Sequence, residues 1–204
     1  DGDKVKKGST LAKIKGATGS ILTGERVALN FLQRMSGIST KTRKYVELVK
    51  NYDVRIVDTR KTTPGLRILE KYAVSKGGGH NHRFRLDDAI MIKDNHIKSV
   101  GSIKKAVNKV RGLTSHTLKI EVETECLEQV EEALEAEVDI IMLDNMEIEE
   151  MIKAVNLIND KAITEASGGI NINTVVEVAK TGIDIISIGE LTHKIDSLDI
   201  SLDF

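Results

Sequence analysis

An α/β barrel is the fold class this sequence predicts, and three observations predict it. Short apolar runs alternate with segments of helical periodicity along most of the chain, the pattern of parallel strands joined by crossover helices. Runs such as DIIMLDN (139–145) and DIISIGE (184–190) are apolar at consecutive positions, as strands covered on both faces must be. No GxGxxG follows the first strand, which weakens the other architecture with this alternation, a dinucleotide-binding doubly wound sheet.

The elements follow in order. DGDKVKKGSTLAKIKG opens the chain with Gly and Asp turns and short alternating runs, and reads as part of a β-rich unit already under way, so a portion upstream is expected to be missing. The next stretch places Val27, Leu29, Leu32, Met35, Tyr45, Leu48 and Val49 at helical spacing. Thr23 is the expected N-cap, although Arg26 and not Glu stands three residues on and leaves the capping box incomplete. Strands are expected at 54–57, 89–92, 118–122, 139–143, 162–165 and 184–188, and amphipathic helices at 103–110, 127–134, 148–158 and 175–179.

Composition bounds the function. At 204 residues, 40% hydrophobic and 30% charged, the chain fits one globular domain with an appendage and buries a real core. Thirty Lys and Arg against 31 Asp and Glu leave a net charge of -1, so no global field draws it to nucleic acid or to an anionic membrane, and any basic site must be local. Cys126 is the sole cysteine, which excludes an internal disulfide framework and makes the cytoplasm the default compartment. No apolar stretch approaches the roughly 20 residues that span a bilayer.

A barrel puts its chemistry at the carboxyl ends of the strands. Those ends are Asp58, Arg60 and Lys61; Lys93, Asp94, Asn95 and His96; Glu121, Glu123 and Glu125; Asp144 and Asn145; Ser167, Gly168 and Gly169; Gly189, Glu190 and His193. Any one of these is ordinary as a solvated loop charge or helix cap; six polar ends in succession are not. The first two ends are basic. Between them KGGGHNHRFRLDD sets Gly77–Gly79 before His80, His82, Arg83 and Arg85, consistent with a backbone held close to an anion. No partner His or Cys stands at zinc spacing from His82, so zinc is not expected. The next two ends are acidic and would repel an anionic substrate, which points to Mg²⁺ bridging Glu123 and Asp144 to phosphate oxygens. Glu121 and Glu123, two apart on a strand, face the same way, and one is expected to stand in for the other. At the last two ends glycines precede helix N-termini, where free N–H groups and the helix dipole hold a phosphate.

TGERVALNFLQRMSGIST (23–40), DTRKTTPGLR (58–67), GGGHNHRFRLDDAIMIKDNH (77–96), LDNM, EASGGIN and GIDIISIGELTH together resemble quinolinate phosphoribosyltransferase, also called nicotinate-nucleotide pyrophosphorylase (carboxylating). The resemblance implies an incomplete α/β barrel fused to an N-terminal open-faced β-sandwich. Residues 1–24 would be the remnant of the sandwich, 25–195 the catalytic barrel, and 196–204 a strand returning to the sandwich. It implies transfer of a phosphoribosyl group from 5-phosphoribosyl-1-pyrophosphate to quinolinate, with loss of CO₂, in NAD biosynthesis. Arg60, Lys61, His82, Arg83 and Lys93 match the family's dicarboxylate-binding residues. Glu123 and Asp144 match the metal and ribose side, and Ser167, Gly168, Gly189 and His193 the phosphate side. Lys61, Glu123 and Asp144 would carry the catalysis. Arg26 matches an arginine lent by the neighbouring subunit, so the resemblance implies a homodimer or a higher assembly of dimers with shared active sites.

Two alternatives remain at this level. A barrel phosphoribosyltransferase paralogue associated with molybdate-transport operons shares DTRKT and the glycine run, but the intact HNHR followed by IMIKDNH favours the quinolinate enzyme. The opening stretch also resembles the turn of biotinyl and lipoyl carriers, yet it lacks their Met-Lys pair and leaves most of the chain unexplained.

Overall fold

A computed structural model describes the whole chain, Asp1–Phe204. Six strands, β1 (Arg55–Val57), β2 (Ile90–Ile92), β3 (Ile120–Thr124), β4 (Ile140–Asp144), β5 (Ile163–Ser167) and β6 (Ile185–Ser187), form one sheet in the order β1-β6-β5-β4-β3-β2. Every pairing is parallel. This is the cyclic order of a barrel interrupted at one seam, between β1 and β2; a doubly wound sheet would instead place its first strand in the interior. A lone bridge between Val57 and His80 is the only pairing inside the seam.

The helices are α1 (Thr18–Val49), α2 (Arg67–Lys76), α3 (Asp94–Val100), α4 (Ile103–Arg111), α5 (Leu127–Glu135), α6 (Ile148–Ile158), α7 (Val175–Ala179) and α8 (Glu190–His193). Alternation along the strands sorts their side chains into two layers. Ile120, Val122, Ile141, Leu143, Ala166 and Ile186 turn outward into the core beneath the helices. Glu121, Glu123, Met142, Asp144, Glu165 and Ser167 occupy the intervening positions and face inward. Stability comes from the outer layer: Ile141, Leu143 and Ile186 are fully buried, each contributing about 1.5–3 kcal/mol by removal from water.

The first helix begins earlier than its sequence predicts. Ala17 occupies the N-cap position, and Thr23 lies inside the helix, its Oγ1 donating to Gly19 O at 2.8 Å. A threonine bonded back by four residues cannot cap. Arg26 is therefore in the third turn, past the reach of the helix dipole. The two halves of α1 differ. The second buries Ile38, Thr42, Tyr45 and Val49, spaced four, three and four apart, against the barrel. The first leaves Leu22, Val27, Phe31 and Leu32 exposed. Neither the opening residues nor 196–204 form a strand, because neither finds a ladder partner. The C-terminal segment instead runs along α1, with Leu198 N–H donating to Gln33 O at 3.1 Å and Gln33 Nε2 to Ile200 O at 2.8 Å.

The glycine run is a packing device and not an anion cradle. A Cβ on Gly77 would stand 2.6 Å from Ser39 O, and one on Gly79 would stand 2.7 Å from Thr42 Cγ2. Only bare backbone lets this turn press against α1 before the chain crosses the seam.

Candidate active site

The predicted residues gather at the carboxyl mouth of the barrel, held by charges the sequence did not single out. Asp58 closes β1 and is fully buried. It does not face a ligand as a strand-end residue would: its Oδ1 takes Lys71 Nζ at 2.5 Å and the His82 backbone N–H at 2.8 Å. Burial pushes the Asp58 carboxyl above its ordinary pKa, while Lys71 and His82 pull it down. Arg67, the first residue of α2, donates from Nε to Thr62 Oγ1 at 2.9 Å, from Nη1 to Phe84 O at 3.0 Å and from Nη2 to Arg60 O at 3.3 Å. It ties the DTRKTTPG turn to the HNHRF segment. Glu70, fully buried, pairs with Arg34 at 2.8 Å and accepts from Thr63 N–H at 3.1 Å, fixing the far side of that turn.

So anchored, the basic residues converge. Burial lowers the Arg83 pKa, the Glu121 charge opposes this and the Arg60 charge adds to it. His82 lies beside Arg83, whose backbone N–H donates to His82 Nδ1 at 2.7 Å. Burial alone would lower the His82 pKa; Glu121 and Glu165, whose carboxylates approach Nε2, outweigh it and push it up to about 10. Nδ1 accepts from Arg83 N–H, so the ring proton that faces the two carboxylates sits on Nε2. Lys93 follows β2 and pairs with Glu123, so the basic and acidic halves meet in one ion pair. His96 is accounted for as a cap, its Nδ1 accepting from Lys93 N–H at 3.0 Å.

Glu121 and Glu123 are not interchangeable. Glu123 reaches the mouth and Lys93, whereas Glu121 sits a layer deeper, 2% exposed, against His82. Asp144 ends β4 next to Glu123's strand, and Asn145 Nδ2 donates to its Oδ2 at 2.7 Å. Asn145 has φ 55, and its N–H donates to Ser167 O at 2.9 Å. It packs so closely on Gly168, φ +89, that a Cβ there would lie 2.8 Å from the Asn145 nitrogen. Asp144 and the Ser167–Gly169 turn are thus one unit. On the adjacent strand, Gly189 leaves space for Lys61 Cδ and His193, each 3.1–3.3 Å from where its Cβ would be. Thr192 Oγ1 donates to Lys61 O at 2.7 Å. Lys61 is therefore beside the glycine end of the mouth, apart from Arg60 despite being its neighbour in sequence.

The expected helix-dipole contribution at this end is small. α7 has 5 residues and starts only at Val175, and α8 has 4; what remains is backbone N–H at Gly168, Gly169 and Gly189. Arg26 is exposed on the first half of α1 and forms no ion pair.

The chain matches known proteins along nearly its whole length. The model of the quinolinate phosphoribosyl transferase C-terminal domain matches residues 38–203, and that of the N-terminal domain matches residues 1–36. This chain belongs to the quinolinate phosphoribosyltransferase family. It is 50% identical over 203 residues to a Bacillus subtilis protein named probable nicotinate-nucleotide pyrophosphorylase [carboxylating], covering 100% of this chain and 70% of that one. It is 47% identical over 202 residues to a protein of the same name from Methanocaldococcus jannaschii, covering 95% and 71%. The crystal structure of NadC from Streptococcus pyogenes superposes with a TM-score of 0.97 at 49% identity, over 100% of this chain and 72% of that one. The junction between the two family models falls inside α1, so that helix joins the two domains of the family.

Proposed function

We propose that this chain transfers the phosphoribosyl group of 5-phosphoribosyl-1-pyrophosphate to quinolinate with decarboxylation, giving nicotinate mononucleotide, pyrophosphate and CO₂ in NAD biosynthesis. The observation that carries this reading is the meeting of a basic wall and an acidic wall at one mouth through Lys93 and Glu123. Arg60, His82, Arg83 and Lys93 supply the donors that two adjacent carboxylates need, the guanidiniums being able to fork around one carboxylate. Ser167, Gly168, Gly189, Lys61 and His193 take the phosphates. Glu123 and Asp144 face the ribose.

The chemistry then follows from position and field. The pyridine nitrogen forms a bond to ribose C1 as the C1–oxygen bond breaks and pyrophosphate departs. Positive charge gathers on C1 in between, where the Glu123 and Asp144 carboxylates stabilise it. The nitrogen, now quaternary, lets the ring hold the electron pair left when CO₂ departs from C2, and a proton takes its place. Lys93, released from Glu123 by the incoming dianion, fixes the carboxylate it replaces.

Glu123 and Asp144 also fit Mg²⁺. Both are hard oxygen donors at the ends of adjacent strands, and each engages the protein through one oxygen, leaving the other available. The ion, when bound, would neutralise charge on the leaving pyrophosphate. We further propose a cytoplasmic homodimer, with 25–195 as the catalytic unit and Arg26 serving the partner's site; support comes from the exposed apolar residues Val27 and Phe31 flanking Arg26 on α1. No helix is long and apolar enough to cross a membrane.

Calorimetric titration with quinolinate tests the reading. Lys93→Met should abolish most of the affinity while Asp144→Asn keeps it and loses Mg²⁺-dependent turnover. Equal losses of binding in both variants would refute the division of the mouth into two walls.

A further inference from the structure

Two carboxylates on the inner face have no part in the chemistry above. Glu121 on β3 and Glu165 on β5 are each 2% exposed, one layer below Glu123 and Ser167. Barrel interiors are ordinarily filled at this depth by branched apolar side chains. Here Glu121 Oε1 and Glu165 Oε1 lack any hydrogen-bond partner. A lumen selected for stability alone would not retain them.

What the two share is His82. Its Nε2 lies 3.5 Å from Glu121 Oε2 and 3.4 Å from Glu165 Oε1, between strands on either side of β4. The three side chains offer ligand atoms within 4.8 Å of one another, the spacing of a metal site. A metal on Nε2 would need the proton on Nδ1, however, and Nδ1 accepts from Arg83 N–H. The proton belongs on Nε2, directed between the two carboxylates.

We propose that Glu121 and Glu165 are positioning residues that lock the His82 ring, and with it the Arg83 peptide, as the floor of the dianion-binding half of the mouth. The proposal rests on the reading of that half as the quinolinate site. Its physical necessity comes from the seam. The segment carrying His82 and Arg83 crosses the gap between β1 and β2, where the Val57–His80 bridge is the only pairing. Asp58 fixes the His82 backbone N–H, but a backbone bond leaves the ring free to rotate. The negative charges of Glu121 on β3 and Glu165 on β5, 3.5 and 3.4 Å from Nε2, confine the ring by electrostatic attraction and tie a loop without a strand to two strands of the sheet.

The experiment compares Glu165→Leu, which removes the acceptor and suits an apolar lumen, with Glu165→Gln, which keeps an oxygen for Nε2–H. The Leu variant should melt no lower than the parent, yet bind quinolinate about tenfold or more weakly and raise KM for quinolinate with KM for phosphoribosyl pyrophosphate unchanged. The Gln variant should recover most of the loss. Histidine ¹⁵N spectra of the same proteins read the ring without any substrate: a single sharp Nε2–H signal in parent and Gln, and an exchange-broadened one from a mobile ring in Leu. Should Leu prove too unstable to purify, Glu165→Asp, whose shorter arm draws the oxygen away, replaces it in each measurement. Unchanged quinolinate affinity in Leu, equal impairment in Gln, or a stoichiometric metal ion that the Gln variant loses would each overturn the proposal. If the parent fails to bind quinolinate, the functional reading falls, and the ¹⁵N spectra still decide whether the carboxylates hold the ring.

Discussion

Replacing Lys71 by Met isolates the buried charge on which the basic wall is hung. Asp58 is fully buried and Lys71 is 3% exposed. Lys71 Nζ lies 2.5 Å from Asp58 Oδ1 and 2.9 Å from His82 O. Methionine keeps most of the lysine stem, so packing changes little and the loss is the countercharge. Asp58 retains the His82 N–H and the Asn81 amide, which donates to its Oδ2 at 2.7 Å, but has no countercharge for a carboxylate out of water. Removing one partner of a buried pair costs about 3–5 kcal/mol. At about 2–4 °C per kcal/mol for a chain of this size, the melting point should fall by roughly 6–20 °C. Protonation of Asp58 offers relief. Its pKa is already raised by burial, against the pull of Lys71, and goes higher without Lys71. A group whose folded pKa is raised binds its proton more tightly in the native state, so acidification favours folding and alkaline pH opposes it. The deficit of Lys71→Met against the parent should therefore be largest at neutral pH and shrink as pH falls towards about 4, the unfolded value. Urea unfolding followed by circular dichroism at neutral pH and near pH 5 measures both quantities, and Asp58→Asn combined with Lys71→Met should recover much of the loss. A deficit under about 1 kcal/mol at neutral pH, or one that does not shrink on acidification, would refute the argument.

Gly168→Ala must place a Cβ against Asn145 at φ +89, and should cost about 2 kcal/mol or more while disabling phosphate binding; a fully active variant with parental stability would show that the turn adapts. Tyr45→Phe removes the hydroxyl that donates to Glu190, an expected loss of about 1–2 kcal/mol at neutral pH. Burial works against it, but Tyr45 and Lys41 hold the Glu190 pKa down, so this stabilisation is present above the ordinary carboxylate range and lost as pH falls through the folded value; unfolding curves of the two proteins should converge in acid. Two inactive variants, Arg26→Ala and Lys61→Ala, mixed under subunit exchange should restore up to about half of the mixed-dimer sites if Arg26 acts across the dimer, and an assay showing no recovery would place it in its own site.

Strand and helix positions were legible because alternation and helical period are written in single residues. The strand expected at 139–143 appears as Ile140–Asp144, and the helix at 148–158 as Ile148–Ile158. The start of α1 was not, because its first turns pack against little and leave no apolar stripe to read. In the mouth, the residues that follow or close a strand, such as Lys93 and Asp144, could be found from strand-end position alone. Lys71, Arg67, Glu70 and Arg34 could not. A charged residue in mid-helix reads as a solvated face, and only the fold reveals that its partner is Asp58 or a loop carbonyl. The glycine run misled for a related reason: a close backbone approach is visible in sequence, but whether it is to an anion or to α1 is not.

The division of the strands into outward and inward residues has a consequence for how such a protein can change. Cohesion is carried by Ile120, Val122, Ile141 and Leu143, while Glu121, Glu123, Met142 and Asp144 line the interior, the two sets interleaved on the same ten backbone positions of β3 and β4. A substitution at an inward position alters what the mouth accepts without loosening the contact between sheet and helices. New ligand preferences are therefore reachable by single steps that leave folding intact, and the barrel can keep its architecture while its chemistry drifts.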